Sequence, residues 1–196
     1  MHPILFKFYG ITLYSYGFCV ALAVTVALLL AIRLAPKNFL SSGTTVDLLF
    51  ILFVAGIVGS RIFYVLQHWE DYRSHWLSIF WIQEGGLVWY GGFIFAVLAG
   101  ALHCRRHRLS VLTWADFFAP LLSLAHGIGR IGCFLNGCCY GKDGHPVQLY
   151  EAFGLFVITA VLLLIASRKT RSGEVLAWYL ILYSTLRFGV EFFRGD

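Results

Sequence analysis

The chain has 196 residues, 59% of them hydrophobic and only 13% charged, with a mean hydropathy of +0.77 and a formal net charge of +5. A soluble domain is nearer half apolar and about a quarter charged, so this composition excludes a soluble globular fold and places the chain in a membrane. The positive charge is not a nucleic-acid signal, because the basic residues flank apolar runs and do not gather into a patch.

Apolar runs of about 20 residues match the hydrocarbon core of a bilayer. They predict helices over 11–34, 46–66, 87–103, 112–135, 147–167 and 174–193. The expectation is an all-α integral membrane protein, a polytopic bundle of about six transmembrane helices forming one domain over 1–196. Barrel strands would alternate over about ten residues, and these runs do not. The first run is too long for a signal peptide and has no basic segment before it. Pro36, Asn38 and the run Ser41-Ser42-Gly43 end that first helix. The segment 67–84 mixes charges with tryptophans and is expected along the outer interface. No inverted repeat is visible, so the repeat-built transporter folds gain no support.

Basic residues cluster after the first, third and fifth runs: Arg33 and Lys37; Arg105, Arg106 and Arg108; Arg168, Lys169 and Arg171. The positive-inside rule then puts those loops in the cytoplasm and the N-terminus outside. Six spans return the C-terminus to the outside as well.

Three arginines, Arg61, Arg130 and Arg187, lie within the apolar runs. Arginine at mid-bilayer costs roughly 2.5–3.5 kcal/mol, so such residues usually serve a purpose. With the expected topology all three reach toward the outer leaflet. Tyr16, Tyr90, His145, Gln148, Tyr150 and Glu151 fall at the same level. On the last span Tyr183, Arg187, Glu191 and Arg194 recur at four, four and three residues and are expected on one helix face. Glu191 can pair with Arg187 there, either to hold it for chemistry or simply to specify helix packing. Arg61, near a helix end, can snorkel to the headgroups and is expected to anchor or support.

Arg130 lies in HGIGRIGCFLNGCCYG (126–141), where Gly127, Gly129, Gly132, Gly137 and Gly141 crowd together. That many glycines predict a helix break near Asn136–Gly137, and broken backbone at membrane depth is tolerated where it lines a polar cavity. A guanidinium there suits a phosphate, which it binds through paired hydrogen bonds. Close glycine packing, with Arg130 on a carbonyl, is the alternative. Cys133, Cys138 and Cys139 lack the spaced pairs of a zinc site, so no metal is expected. They lack a C-x-x-C spacing too, although Cys138 and Cys139 leave a thiol oxidoreductase conceivable. Cys19 and Cys104 read as small apolar fillers.

Taken together, these residues resemble the prolipoprotein diacylglyceryl transferase family of bacterial inner membranes. GRIGCFLNGCCYG (129–141) is similar to that family's Gly-Arg-x-Gly-Asn-Phe-x-Asn-Gly block. HPVQLYEA (145–152), YGG (90–92), SYG (15–17), GSRIFYVL (59–66) and LYSTLRFGVEFFR (182–194) follow the family's order and cover nearly the whole chain. The resemblance implies a transferase without a cofactor. It would move the diacylglyceryl group of phosphatidylglycerol, drawn from the surrounding membrane lipids, onto the lipobox cysteine thiol of a prolipoprotein. By that resemblance Arg130 holds the lipid phosphate, while Arg187, kept in place by Glu191, stabilises the departing one. Tyr16, Asn136, Gly91, Gly92, Gly141, His145, Tyr183 and Arg194 match or adjoin positions that shape the site.

The chain departs from the family pattern in three respects. Tyr90 stands where the family has a histidine before its double glycine, and a phenol, with a pKa of about 10, is a weak base for a thiol of about 8.5. Tyr90, His145, His126 or Glu151 can act as base, or catalysis can rest on leaving-group stabilisation; an inactive relative that binds or carries anionic lipid is the other reading. Cys133 replaces an asparagine. The family also has a longer segment before its His-Pro motif and a further helix after the final arginine motif, whereas this chain stops at Asp196.

Overall fold

A computed structural model describes residues 3–8, 11–36, 40–73, 76–81 and 85–194. Lys37, Asn38, Asp196 and part of the interfacial segment 67–84 lie outside the described residues. All six expected runs are helical. They are α1 (Ser15–Leu34), α2 (Ser42–Gln67), α4 (Trp89–Arg106), α5 (Val111–Asn136), α6 (Val147–Arg168) and α7 (Glu174–Glu191), with a short α3 (Trp69–Tyr72) after α2. Four of them, α1, α2, α5 and α6, are long and apolar enough to cross a membrane. The two others have 18 residues each and carry more polar ends: His103, Arg105 and Arg106 in the last turn of α4, and Glu174, Arg187 and Glu191 in α7.

The N-terminus corrects the expected start of the first helix. Ile4–Phe8 (β1) and Ile11–Tyr14 (β2) pair as an antiparallel hairpin, so α1 begins at Ser15 and not at residue 11. The physical reason is local: aromatic and β-branched residues favour strands, and Tyr9-Gly10 stands between the two runs.

The chain divides into two compact units, residues 1–38 with 112–196, and residues 39–111. In the first unit small residues let helices meet. A Cβ on Gly132 would strike Cys19 of α1, one on Gly127 would strike Phe156 of α6, and one on Gly154 would strike Leu186 of α7. That packing explains why α5 runs unbroken through Pro120 and three glycines before stopping at Asn136. Interhelical contact outweighs intrinsic helix propensity. Ala119, Ile158, Leu162, Val175 and Tyr179 form the apolar core joining α5, α6 and α7. The buried Asp116 of α5 accepts bonds from the backbone N–H groups of Gly173 and Leu176 at 2.8 and 2.9 Å, with Lys169 Nζ at 3.3 Å. It thereby caps the start of α7 from a neighbouring helix, where four N–H groups otherwise lack partners.

In the second unit α2 and α4 cross closely. A Cβ on Gly91 would meet the carbonyl of Gly59, and one on Gly92 would meet Ser60 and Gly56. Arg61 corrects the expectation of a side chain snorkelling to headgroups. It is only 7% exposed, and its guanidinium donates to the carbonyls of Ile79 (2.7 Å), Ser78 (2.8 Å) and Gly85 (2.8 Å). Longer bonds reach Gly86 and Trp81. Tyr64 and Tyr72 lie 5.6 and 5.4 Å from the guanidinium carbon. The charge gathers the carbonyls of a short 3-10 turn (Trp76–Phe80) and of the chain leading into α4.

Candidate active site

The first unit brings together α5, α6 and α7 around one carboxylate. Glu151, 2% exposed, lies in the second turn of α6. Arg130 Nη2 from α5 sits 3.0 Å from Glu151 Oε1 and 2.9 Å from Oε2, and Arg187 Nη1 from α7 is 3.7 Å from Oε2. Arg187 Nη2 reaches Glu191 Oε2, one turn further along α7, at 3.0 Å. His126, one turn before Arg130, places Nε2 3.7 Å from Glu151 Oε1, and its ring lies 5.4 Å from that of Tyr183. Two guanidiniums this close would repel. The buried carboxylate between them offsets that repulsion and orients both forks.

The arginines are not saturated. Arg130 Nε and Arg187 Nη1 are buried donors with no hydrogen-bond partner among the described residues. A buried donor without a partner costs about 1–3 kcal/mol, so such a pair suits a site that receives an acceptor-rich anion.

The end of α5 shapes the rim. Gly137 takes the left-handed conformation at φ 81°, its N–H donating to Phe134 O at 3.2 Å while Cys138 N–H donates to Cys133 O at 3.2 Å. Only glycine takes that backbone readily, so the helix stops at Asn136, which is exposed. Gln148, fully buried on α6 one turn before Glu151, donates from Nε2 to Cys138 O at 2.6 Å and ties the returning chain down. Tyr16, in the first turn of α1, packs beside Gly132 of α5. Gly141 is pinned by a bridge to Arg194, with Lys142 N–H donating to Phe193 O at 2.9 Å. That bridge corrects one expectation: α7 ends at Glu191, so Arg194 lies past the helix and does not extend the face of Tyr183, Arg187 and Glu191. There the chain leaves the helix and meets the Gly141–Lys142 backbone. His145 is exposed, 3.4 Å from the Tyr150 hydroxyl and beside Phe193.

Tyr90, Gly91 and Gly92 belong to the second unit. Tyr90 is 69% exposed in the first turn of α4, its ring edge-to-face with Trp89. The two glycines are buried against α2, which gives them a packing role. Glu151 is the residue whose place sequence reasoning missed. It reads there as one polar side chain among several near a loop and as one of four candidate bases, not as the partner of Arg130 and Arg187. Asp116 was missed altogether, though a lone carboxylate inside an apolar run is itself a signal.

Apolar helices packed around a buried carboxylate with two half-buried arginines define a multi-pass membrane protein with a charged site built between helices. The sequence matches the family model for prolipoprotein diacylglyceryl transferase over residues 3–196. A Finegoldia magna protein named phosphatidylglycerol–prolipoprotein diacylglyceryl transferase is 35% identical across the whole of this chain and 85% of its own length. Relatives of that name from Streptococcus equi subsp. zooepidemicus and Clostridium tetani are 33% and 30% identical, again over the whole chain. The chain belongs to the prolipoprotein diacylglyceryl transferase family and is a transferase.

Proposed function

We propose that this protein transfers the diacylglyceryl group of phosphatidylglycerol to the lipobox cysteine thiol of a prolipoprotein, at the outer leaflet of a bacterial inner membrane. The observation that carries this reading is the pair of arginines around Glu151, with Arg130 Nε and Arg187 Nη1 each free of a hydrogen-bond partner among the described residues. In the reaction the acceptor thiolate attacks the glyceryl carbon, the carbon–oxygen bond breaks, and glycerol phosphate leaves with that oxygen. Negative charge moves from sulfur to the leaving phosphate, so donors aimed at the phosphate act most strongly in the transition state. Arg130 binds the lipid phosphate and Arg187, braced by Glu191, stabilises the departing one. Tyr16, Asn136, Gly141, His145, Tyr183 and Arg194 shape the surrounding site, and Gly91 and Gly92 set the position of Tyr90.

Tyr90 is the proposed proton acceptor by its place in the family pattern. His126 is favoured as a second candidate by its 3.7 Å approach to Glu151 inside the cluster. Incubation with phosphatidylglycerol vesicles and a lipobox peptide tests the whole reading. The wild-type chain adds a diacylglyceryl mass to the peptide, and Arg130→Ala and Arg187→Ala each abolish the addition. An unchanged peptide with wild-type protein, together with lipid bound to it, supports a carrier of anionic lipid instead.

A further inference from the structure

Three thiols crowd the turn after α5, and the proposed transfer uses none of them. Cys133 and Cys138 stand at the two positions, four residues before and one residue after Gly137, that this type of helix ending brings into side-chain contact, usually as an apolar pair. Here both are cysteines. Cys138 Sγ lies 3.6 Å from the carbonyl oxygen of Cys133, which folds the Cys138 side chain back over the last turn of α5. The backbone that holds them is fixed: Cys138 N–H bonds Cys133 O at 3.2 Å, and Gln148 holds the Cys138 carbonyl at 2.6 Å.

Three pairings can be drawn among these thiols, and the backbone of the turn favours one of them. Neighbouring Cα atoms across a trans peptide are about 3.8 Å apart. Disulfides usually need about 4.4–6.8 Å, so Cys138–Cys139 is too short. The helix ending instead folds residue 138 back over residue 133, with no cis peptide among the described residues. Cys139, exposed and held at φ 64°, stays outside the pair.

We propose that Cys133 and Cys138 form a redox-active dithiol that exchanges with small-molecule disulfides. One protein thiolate attacks a sulfur of the reagent and releases one reagent thiolate, and the second protein thiolate then attacks the mixed disulfide and releases the other. The reagent is reduced to two thiols, which carry the two protons given up by the protein, and the protein is left with a Cys133–Cys138 bond. Cys133 lies about one helical turn after Arg130 on α5, so the oxidised form staples the end of the helix that carries that arginine.

The test needs no transfer activity. The full chain in detergent is equilibrated with reduced and oxidised glutathione over a range of ratios, acid-quenched and alkylated. Intact mass and peptide maps then count free thiols. The expected result is loss of two alkylatable thiols at a defined midpoint, with a mass lower by about 2 Da in samples left unalkylated, a cross-link at 133–138, and recovery with dithiothreitol. Cys139→Ser keeps this behaviour and Cys138→Ser loses it. An unchanged thiol count at every ratio, a stable glutathione adduct at Cys139 alone, or a cross-link that persists in Cys138→Ser would each overturn the proposal.

Discussion

Arg130 and Arg187, on helices separated by the whole of α6, share one oxygen atom: Glu151 Oε2 lies 2.9 Å from the first and 3.7 Å from the second. Removing the charge from that oxygen leaves two half-buried cations facing each other. Glu151→Gln, nearly isosteric, should lower stability by about 3–5 kcal/mol, the usual cost of breaking a buried pair from one side. Transfer should fall at least tenfold as the two forks lose their common brace. Thermal unfolding in detergent and peptide-lipidation rates measure the two effects separately. A variant with wild-type melting and wild-type rate would show that the carboxylate does not organise the arginines.

The proton acceptor is decided by comparing two conservative changes. If Tyr90 takes the thiol proton, Tyr90→Phe should lower kcat by roughly 10²–10⁴-fold at neutral pH, with a smaller deficit at alkaline pH where the acceptor thiol ionises unaided. His126→Gln should then leave the pH profile in place. The reverse pattern would move the role to His126. If both variants keep the wild-type profile, leaving-group stabilisation by Arg130 and Arg187 carries the reaction alone.

Arg61 should behave as a structural clamp. It donates five bonds to the carbonyls of residues 78, 79, 81, 85 and 86, which a lysine cannot reproduce because it lacks the planar fork. Arg61→Lys is expected to destabilise the second unit by about 2–4 kcal/mol, since bonds to charged groups contribute about 1.5–3 kcal/mol each and several are lost. Limited proteolysis provides the measurement, with faster cleavage between residues 73 and 88. Cleavage at the wild-type rate would rule out the clamp.

Asp116 should matter to folding and not to transfer. Its two oxygens hold the Gly173 and Leu176 N–H groups and Lys169. Asp116→Ala strips the cap from α7 and leaves Lys169 without its buried partner, an expected cost of about 2–4 kcal/mol. Melting temperature should drop while the lipidation rate per folded molecule stays within about twofold of wild type. A large loss of rate with unchanged melting would place Asp116 in the chemistry instead.

Much of the site was legible before any fold was known, for reasons visible in single residues. The placement of Arg130 in a glycine-rich run and the four-residue spacing of Arg187 and Glu191 are local facts, since helix periodicity alone decides which neighbours face each other. The stop at Asn136 was legible because only Gly137 enters the left-handed region easily there. Glu151 was not, because its partners lie on α5 and α7 and no local pattern names them. Arg61 looked like an anchoring arginine for the same reason. Its carbonyl partners come from a loop some twenty residues away.

By itself, then, the sequence determined the membrane class, the positions of the helices and the family, because hydropathy, caps and short motifs act over a few residues. Tertiary structure decided which charges meet. Gly127, Gly132 and Gly154 set how closely α5 approaches α1 and α6, and α6 approaches α7. That approach brings the Glu151 carboxylate within reach of two guanidiniums, because in a low-dielectric interior buried charges must find partners wherever packing puts them.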